Sequence, residues 1–358
     1  MNEQRITFTG GGTAGHVIVN IALIPEFHKK GWKINYIGSV NGIEKELIET
    51  FDYVTYHPIS TGKLRRYMSL ENFKDPFKIL KGIFQSWNIM RKSRPNIIFS
   101  KGGFVSVPVS VAAWLRRIPI VVHESDFTPG LANKLAVPFA KRVLTTFPET
   151  VNYLPAKKTA HIGAIIRKEL YEGNKDEGYR LTGFNQDKPI IMIMGGSGGS
   201  RKINEVVRAN LNELLNDYQI IHICGMNEVD ESIDLAGYIQ YEYVKDELTH
   251  LFSVTQYIVS RAGSNAIFEF LALKLPMILI PLSRAASRGD QIVNAKSFKE
   301  QGYALVIEEE ELSDEHFINC VKDLVNKSPQ IINKMNKNIA NNPFDETIQL
   351  IEDLSKKL

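Results

Sequence analysis

The chain has 358 residues, 44% hydrophobic and 23% charged, which suffices for two domains with full cores and is too apolar for a disordered protein. No apolar run reaches the ~18 residues that span a bilayer, so neither a membrane-spanning helix nor a signal peptide ahead of the first strand is expected. The net charge of +3 conceals a polarity: residues 1–163 hold 22 Lys+Arg against 11 Asp+Glu, the remainder 21 against 29. The first half is therefore expected to meet an anion, either phosphates or an acidic lipid surface.

Short apolar runs alternate with helical patterns along the whole chain, which predicts α/β units on parallel sheets. In chain order the first series of strands is "RITFTG", "INYIGS", "NIIFS", "IPIVVHE" and "RVLTTF". The second is "PIIMIMGGS", "QIIHICG", "IQYEYV", "QYIVSRAG" and "PMILIPL". Each series opens with a strand that runs into a glycine-rich turn and a helix. The expected fold is two doubly wound, Rossmann-like α/β domains facing a cleft, over 1–163 and 164–340, joined near "HIGAIIRKEL". The terminal stretch 341–358 is expected as a helix packing back on the first domain. The polar segment 172–188 is read as a loop or insertion, and the acidic run Glu308–Glu311 as a solvated turn. Cys224 and Cys320 lie in apolar patterns without metal-ligand spacing and are expected as buried thiols.

Three glycine loops follow strands. "FTGGGTAGH" contains G-x-G-x-x-G at Gly10, Gly12 and Gly15, but the second strand ends in Gly38 and Ser39 where a dinucleotide site needs an acid. An NAD site is therefore not expected. "SKGGFVSVPVS" carries Gly102, Gly103 and Phe104, and "MGGSGGSRKIN" carries Ser197. Glycines let a backbone approach an anion while helix N-terminal amides attract it, so a phosphate-bearing ligand spanning both halves is expected. Each loop taken alone also fits a tight strand-to-helix turn.

Two more constellations stand at strand ends. "VVHESDFTPGLANKLA" places His123, Glu124, Asp126 and Asn133 after an apolar strand, where His123 fits a packed histidine as well as a ligand-facing one. "SRAGSNAIFE" has Arg261 and Gly263, then Ser264 or Asn265 as a helix cap, then Glu269 a turn further in.

These motifs, with "IGAIIRKEL" and "GDQIVNA", run in order over essentially the whole chain and resemble the MurG family of inverting GT-B glycosyltransferases. The resemblance implies transfer of N-acetylglucosamine from UDP-N-acetylglucosamine to the C4 hydroxyl of lipid I, giving β-1,4-linked lipid II in peptidoglycan synthesis. It also implies a donor site of Arg167, Ser197, Val244 (uracil), Arg261, Ser264, Asn265, Glu269 (ribose), Asp290 and Gln291 (sugar). The resemblance further implies that the first loop, with Thr13, Ala14, Gly15 and His16, faces the acceptor and the reacting centre, and that Thr13, Ala14 and Gly15 also bind the donor. The acceptor side is implied to be Gly12, Gly102, Gly103, Phe104, His123, Glu124, Asp126 and Asn133. Ala14, Phe104 and Asp126 depart from glycine, tyrosine and asparagine in many members. UDP-N-acetylglucosamine 2-epimerases and silent sugar-nucleotide-binding modules share this architecture and are the alternatives.

His16, behind the first loop, titrates in the range of a general base; holding a phosphate or capping the turn is the competing role. The chain has no Asp-x-Asp, so no metal and no prosthetic group is expected, with a helix N-terminus and Arg167 absorbing the diphosphate charge. Residues 63–94 hold nine Lys+Arg against two Asp+Glu, and Phe73, Phe77, Leu80, Phe84 and Trp87 recur at helical spacing. With Lys78 and Lys81 this predicts a peripheral contact with an anionic cytoplasmic membrane face, although a core-packing helix with a solvated basic side has the same pattern. No nucleic-acid-binding module is recognisable, and other wall-synthesis proteins are conceivable partners.

Overall fold

The computed structural model describes residues 3–62, 71–196, 198–337 and 343–356, of which 71–74 by their backbone alone. The chain divides into two compact units: residues up to Arg167 together with the last helix, and Lys168 to the end of the helix before it.

The first unit has a parallel sheet of β1 (Arg5–Thr9), β2 (Lys33–Ser39), β3 (Val54–Ile59), β4 (Ile97–Ser100), β5 (Ile120–Glu124), β6 (Arg142–Thr145) and β7 (Thr159–His161). Their order is β3-β2-β1-β4-β5-β6-β7. Helices α1 (Ile18–Lys29), α2 (Ile43–Ile48), α3 (Glu71–Ser93), α4 (Ser106–Leu115) and α5 (Leu131–Ala136) cover it. The central strands are buried on both faces, which is why they read as unbroken apolar runs. On one face Phe8 meets Phe27 and Phe99 edge-on, with ring centroids 5.9 and 6.0 Å apart.

The second unit begins with α6 (Lys175–Thr182). It then runs β8 (Ile190–Met194), α7 (Arg201–Ala209), α8 (Leu211–Asp217), β9 (Gln219–Ile223), β10 (Tyr238–Tyr241) and α9 (Leu248–Val254). The rest is β11 (Tyr257–Ser260), α10 (Ser264–Ala272), β12 (Met277–Leu279), α11 (Asp290–Gln301), β13 (Ala304–Val306) and α12 (Asp314–Lys337). Its parallel sheet has the order β10-β9-β8-β11-β12-β13. In both sheets the order reverses beside the first strand, between β1 and β4 and between β8 and β11, where loops diverge and open α/β sheets hold ligands. The last helix, α13 (Phe344–Ser355), belongs to the first unit: Phe344, Ile348, Ile351 and Leu354 join the core around Phe8, and Glu352 pairs with Lys30 at 2.8 Å.

Three strands lie outside the expected series. β3, β7 and β13 are edge strands: β3 is interrupted by Pro58, and β7 and β13 span three residues each, of which only β13 is apolar throughout. The segment read as a loop over 172–188 contains α6. Asn174 caps it by accepting from Glu177 N at 3.1 Å, and Gly183 ends it at φ +68°. Gly178 lets α6 lie against the backbone of α9, since a Cβ there would meet His250 O at 2.4 Å.

Candidate active site

Three loops at the carboxyl ends of β1, β4 and β5 nest in the first unit. A Cβ on Gly103, at φ +78°, would stand 2.1 Å from Gly11 O, and one on Gly102 would stand 2.9 Å from Asn133 Oδ1. Glycine is thus required where the second loop is pressed between the first and the third. Tyr36 on β2, buried, donates to Gly10 O at 2.7 Å and fixes the start of the first loop.

Gly12 and Thr13 are exposed, and Ala14, Gly15 and His16 half-buried, on a 3₁₀ turn (Ala14–His16) that precedes α1. His16 Nδ1 lies 3.1 Å from Gly11 O and 3.0 Å from Thr13 Oγ1. α1 starts two residues beyond His16, so the ring stands ahead of the helix, at these two contacts. A carbonyl only accepts, so in the neutral imidazole Nδ1 carries the hydrogen and Nε2 the lone pair.

Glu124 is buried at the end of β5. Its Oε1 accepts from Asp126 N at 3.0 Å, and Oε2 from Gly130 N and Asn133 Nδ2 at 2.9 Å each. Burial and Asp126 push its carboxyl up to about 7. Near it Lys101, 1% exposed at the end of β4, is pushed down to about 8 by burial against the opposing pull of Glu124 and Asp126. Its Nζ has no hydrogen-bond partner among the described residues. His123 takes the packed form: it lies along Phe99 at 6.2 Å, and burial followed by Lys101 holds it neutral. Phe104 is half-buried beside the second loop.

Glu44 and Lys101 carry weight that the sequence did not signal. The acid absent from the end of β2 arrives five residues later, from α2: the Glu44 carboxylate, fully buried, accepts from Ser39 N at 2.9 Å and Gly12 N at 3.1 Å.

In the second unit Ser197 lies outside the described residues. Around it, Gly199 at φ +71° fits against Cys224 O, and Ser200 caps α7 through Ile203 N. Arg261, buried at the end of β11, donates to Ser200 Oγ at 2.7 Å, to Ile280 O at 3.1 Å and to Glu309. It braces the ends of β11 and β12 and the cap of α7. Glu309 also accepts from Ser283 N at 3.1 Å, so the acidic run is not wholly a solvated turn. Neither Ser264 nor Asn265 caps α10; Gly263 stands at the cap position, and buried Ser264 opens the helix. Glu269 is half-buried one turn further in, and Val244 is buried in the loop after β10. Asp290 opens α11, and Gln291 Oε1 accepts from Leu282 N at 3.1 Å. Half-buried Arg167 closes the first unit.

On α3, Phe77, Leu80 and Phe84 are 74%, 62% and 65% exposed in one stripe, with Lys81 exposed and Lys78 paired to Asp75 at 3.5 Å. Trp87 leaves that stripe: it packs on the core with Met90, beneath the guanidinium groups of Arg91 and Arg116. Residues 63–70 and the Phe73 side chain lie outside the described residues. Among the described residues no helix is long and apolar enough to cross a membrane. Both cysteines are free and buried.

Two doubly wound parallel sheets with glycine loops at their switch points define a protein of the two-Rossmann-domain class. The chain matches the glycosyltransferase family 28 N-terminal domain over residues 6–145 and the family 28 C-terminal domain over 190–351. It is 56% identical to the UDP-N-acetylglucosamine–N-acetylmuramyl-(pentapeptide) pyrophosphoryl-undecaprenol N-acetylglucosamine transferase of Oceanobacillus iheyensis, covering 99% of both chains. It is 52% identical to the enzyme of the same name from Clostridium novyi, over 99% of this chain and 100% of that one. The crystal structure of Acinetobacter baumannii MurG shares its fold, with a TM-score of 0.78 at 24% identity over 98% of this chain and 99% of that one. The chain belongs to the MurG family of family 28 glycosyltransferases.

Proposed function

We propose that the protein transfers N-acetylglucosamine from UDP-N-acetylglucosamine to the C4 hydroxyl of the muramoyl-peptide of undecaprenyl-diphosphate-linked lipid I, with inversion. The identity of over half the residues to enzymes with that printed activity, along the full chain, carries this reading. His16 Nε2 takes the proton of the acceptor hydroxyl as its oxygen attacks the anomeric carbon, and the bond to UDP breaks on the opposite face. One displacement turns the α-linked donor into a β-linked product.

The growing charge on UDP is met by the glycine loop after β8 and the N-terminus of α7, and the family resemblance assigns Ser197 and Arg167 to the same diphosphate. Val244 and Glu269 hold uracil and ribose, and Asp290 and Gln291 the sugar. On this reading catalysis needs no divalent cation, and a strict requirement in a soluble-acceptor assay would overturn that part. The acceptor's diphosphate lies near the loops of Gly12 and Gly102–Gly103.

UDP release from UDP-N-acetylglucosamine, measured with and without a lipid I analogue, tests the proposal. Acceptor-dependent release with a β-1,4 disaccharide product supports it. Release without acceptor, with a 2-epimerised sugar, would move the protein to the isomerases.

The stripe of Phe77, Leu80 and Phe84 with its basic surroundings is read as a peripheral contact with the anionic cytoplasmic leaflet, where the lipid-linked acceptor resides. Binding to phosphatidylglycerol vesicles is expected to fall several-fold between low and high salt. Phe84→Ser is expected to weaken it about tenfold, through one lost aromatic insertion. Salt-independent binding that is unchanged by the substitution would reject the membrane reading.

A further inference from the structure

Gly11 O and Gly12 N belong to one peptide group. Its carbonyl lies 3.1 Å from His16 Nδ1, and its N–H donates to Glu44 Oε2 at 3.1 Å. In a trans peptide these two groups point in opposite directions, so the carboxylate and the imidazole lie at opposite edges of the same amide group.

The surroundings are built for this carboxylate. A Cβ on Gly11 would come within 2.3 Å of the Glu44 carboxyl carbon, and one on Gly42 within 2.2 Å of Oε2. The other carboxylate oxygen accepts from Ser39 N at 2.9 Å and Ser39 Oγ at 2.5 Å. Glu44 is fully buried, and among the described residues backbone and hydroxyl donors hold it where a cation would be the usual partner.

We propose that Glu44 is a positioning residue for His16, acting through the Gly11–Gly12 peptide as carboxylates act directly on histidines elsewhere. A carboxylate accepting from the amide N–H draws electron density toward Gly11 O and makes that oxygen a stronger acceptor. Gly11 O then holds Nδ1–H more firmly, keeps the lone pair on Nε2 and stabilises the imidazolium when Nε2 takes a proton. No proton moves along the peptide; only polarisation is transmitted. Among the ionisable groups packed around this loop are Tyr36 on β2, which donates to Gly10 O, Tyr56 on β3, which feels the charge of Glu44, and Lys101 at the end of β4, whose Cβ adjoins Gly10. Lys101 opposes an imidazolium and Glu44 favours it. The inference rests on reading His16 as the base, but its geometry can be tested without turnover.

Nitrogen NMR of histidine-labelled protein in the absence of substrates is the deciding measurement. The wild type should show His16 as the Nδ1–H tautomer, with a through-hydrogen-bond coupling from Nδ1 to the Gly11 carbonyl carbon. Glu44→Gln should move the His16 titration midpoint to lower pH by about half a unit or more. In the transfer assay the same variant should lower kcat about tenfold, leave KM for UDP-N-acetylglucosamine within twofold, and shift the acidic limb of the pH profile the same way. A wild-type Nε2–H tautomer, or a midpoint unmoved in Glu44→Gln, overturns the relay. If Glu44→Gln does not fold, Ser39→Ala, which removes a hydroxyl donor from the same carboxylate, is read in its place: a moved His16 midpoint supports the relay and an unmoved one overturns it. Failure of the transfer assay would leave these spectra intact, whereas failure of the spectra would leave the transferase standing.

Discussion

His16→Ala is expected to lower acceptor-dependent UDP release by about a thousandfold, within the range that a positioned general base contributes. Donor affinity should change less than twofold, because the groups assigned to UDP-N-acetylglucosamine binding lie chiefly in the second unit. The side chain is half-buried and reaches Gly11 O and Thr13 Oγ1, so its removal also loosens the turn ahead of α1. His16→Gln separates the two effects. The amide keeps a donor for Gly11 O but has no basic nitrogen, so it should restore the melting temperature and not the rate. Equilibrium binding of the donor, single-turnover rates and thermal melts of the two variants check this. A rate within tenfold of wild type in either variant would reduce His16 to a turn residue and move the base elsewhere among the three loops.

The parts legible in the sequence were those whose signal is local. Strands buried on both faces, such as "IIFS" and "IVVHE", are apolar runs by necessity, and the glycines after β1, β4 and β8 mark turns that only glycine makes. β3 and β7 escaped because an edge strand needs no apolar run, and β13 because its run is short and leads straight into the acidic stretch Glu308–Glu311. α6 escaped because its buried face is supplied by Gly178 and Thr182, small residues that carry no hydrophobic periodicity. Trp87 fits the spacing of the exposed stripe on α3 but packs on the core beneath Arg116, a neighbour from the end of α4 that spacing along α3 does not encode. The site shows the same division. His16 and Glu124 stand in recognisable motifs. Glu44 and Lys101 take their roles from neighbours supplied by other strands, Gly12 from β1's loop for the one and Glu124 from β5 for the other, and no spacing along the chain encodes that.

Glu124→Ala is expected to destabilise the first unit by about 3–5 kcal/mol at pH 7, the order expected when buried hydrogen-bond donors lose a shared acceptor. Three donors, Asp126 N, Gly130 N and Asn133 Nδ2, lose their acceptor. Lys101 keeps its burial and loses the largest influence that favours its charge. For a unit of this size the melting temperature should fall on the order of 10 °C. The pH dependence has a definite sign. Lys101 is depressed to about 8, so its contribution is present above the unfolded value near 10.5 and is lost as pH falls through 8. Glu124 is raised to about 7, so its contribution is full below its unfolded value near 4.5 and is lost as pH rises through 7. Without Glu124 the lysine is depressed further and gains more from deprotonation, so the deficit of Glu124→Ala should shrink by roughly 1 kcal/mol or more between pH 7 and pH 9. Adding Lys101→Met removes the stranded ammonium and should recover part of the loss at pH 7, leaving the three unanswered donors as the remainder. Denaturant unfolding of the single and double variants at the two pH values measures this. Equal deficits at pH 7 and pH 9, with no recovery in the double variant, would mean that Glu124 acts through its three hydrogen bonds alone and that Lys101 is indifferent to it.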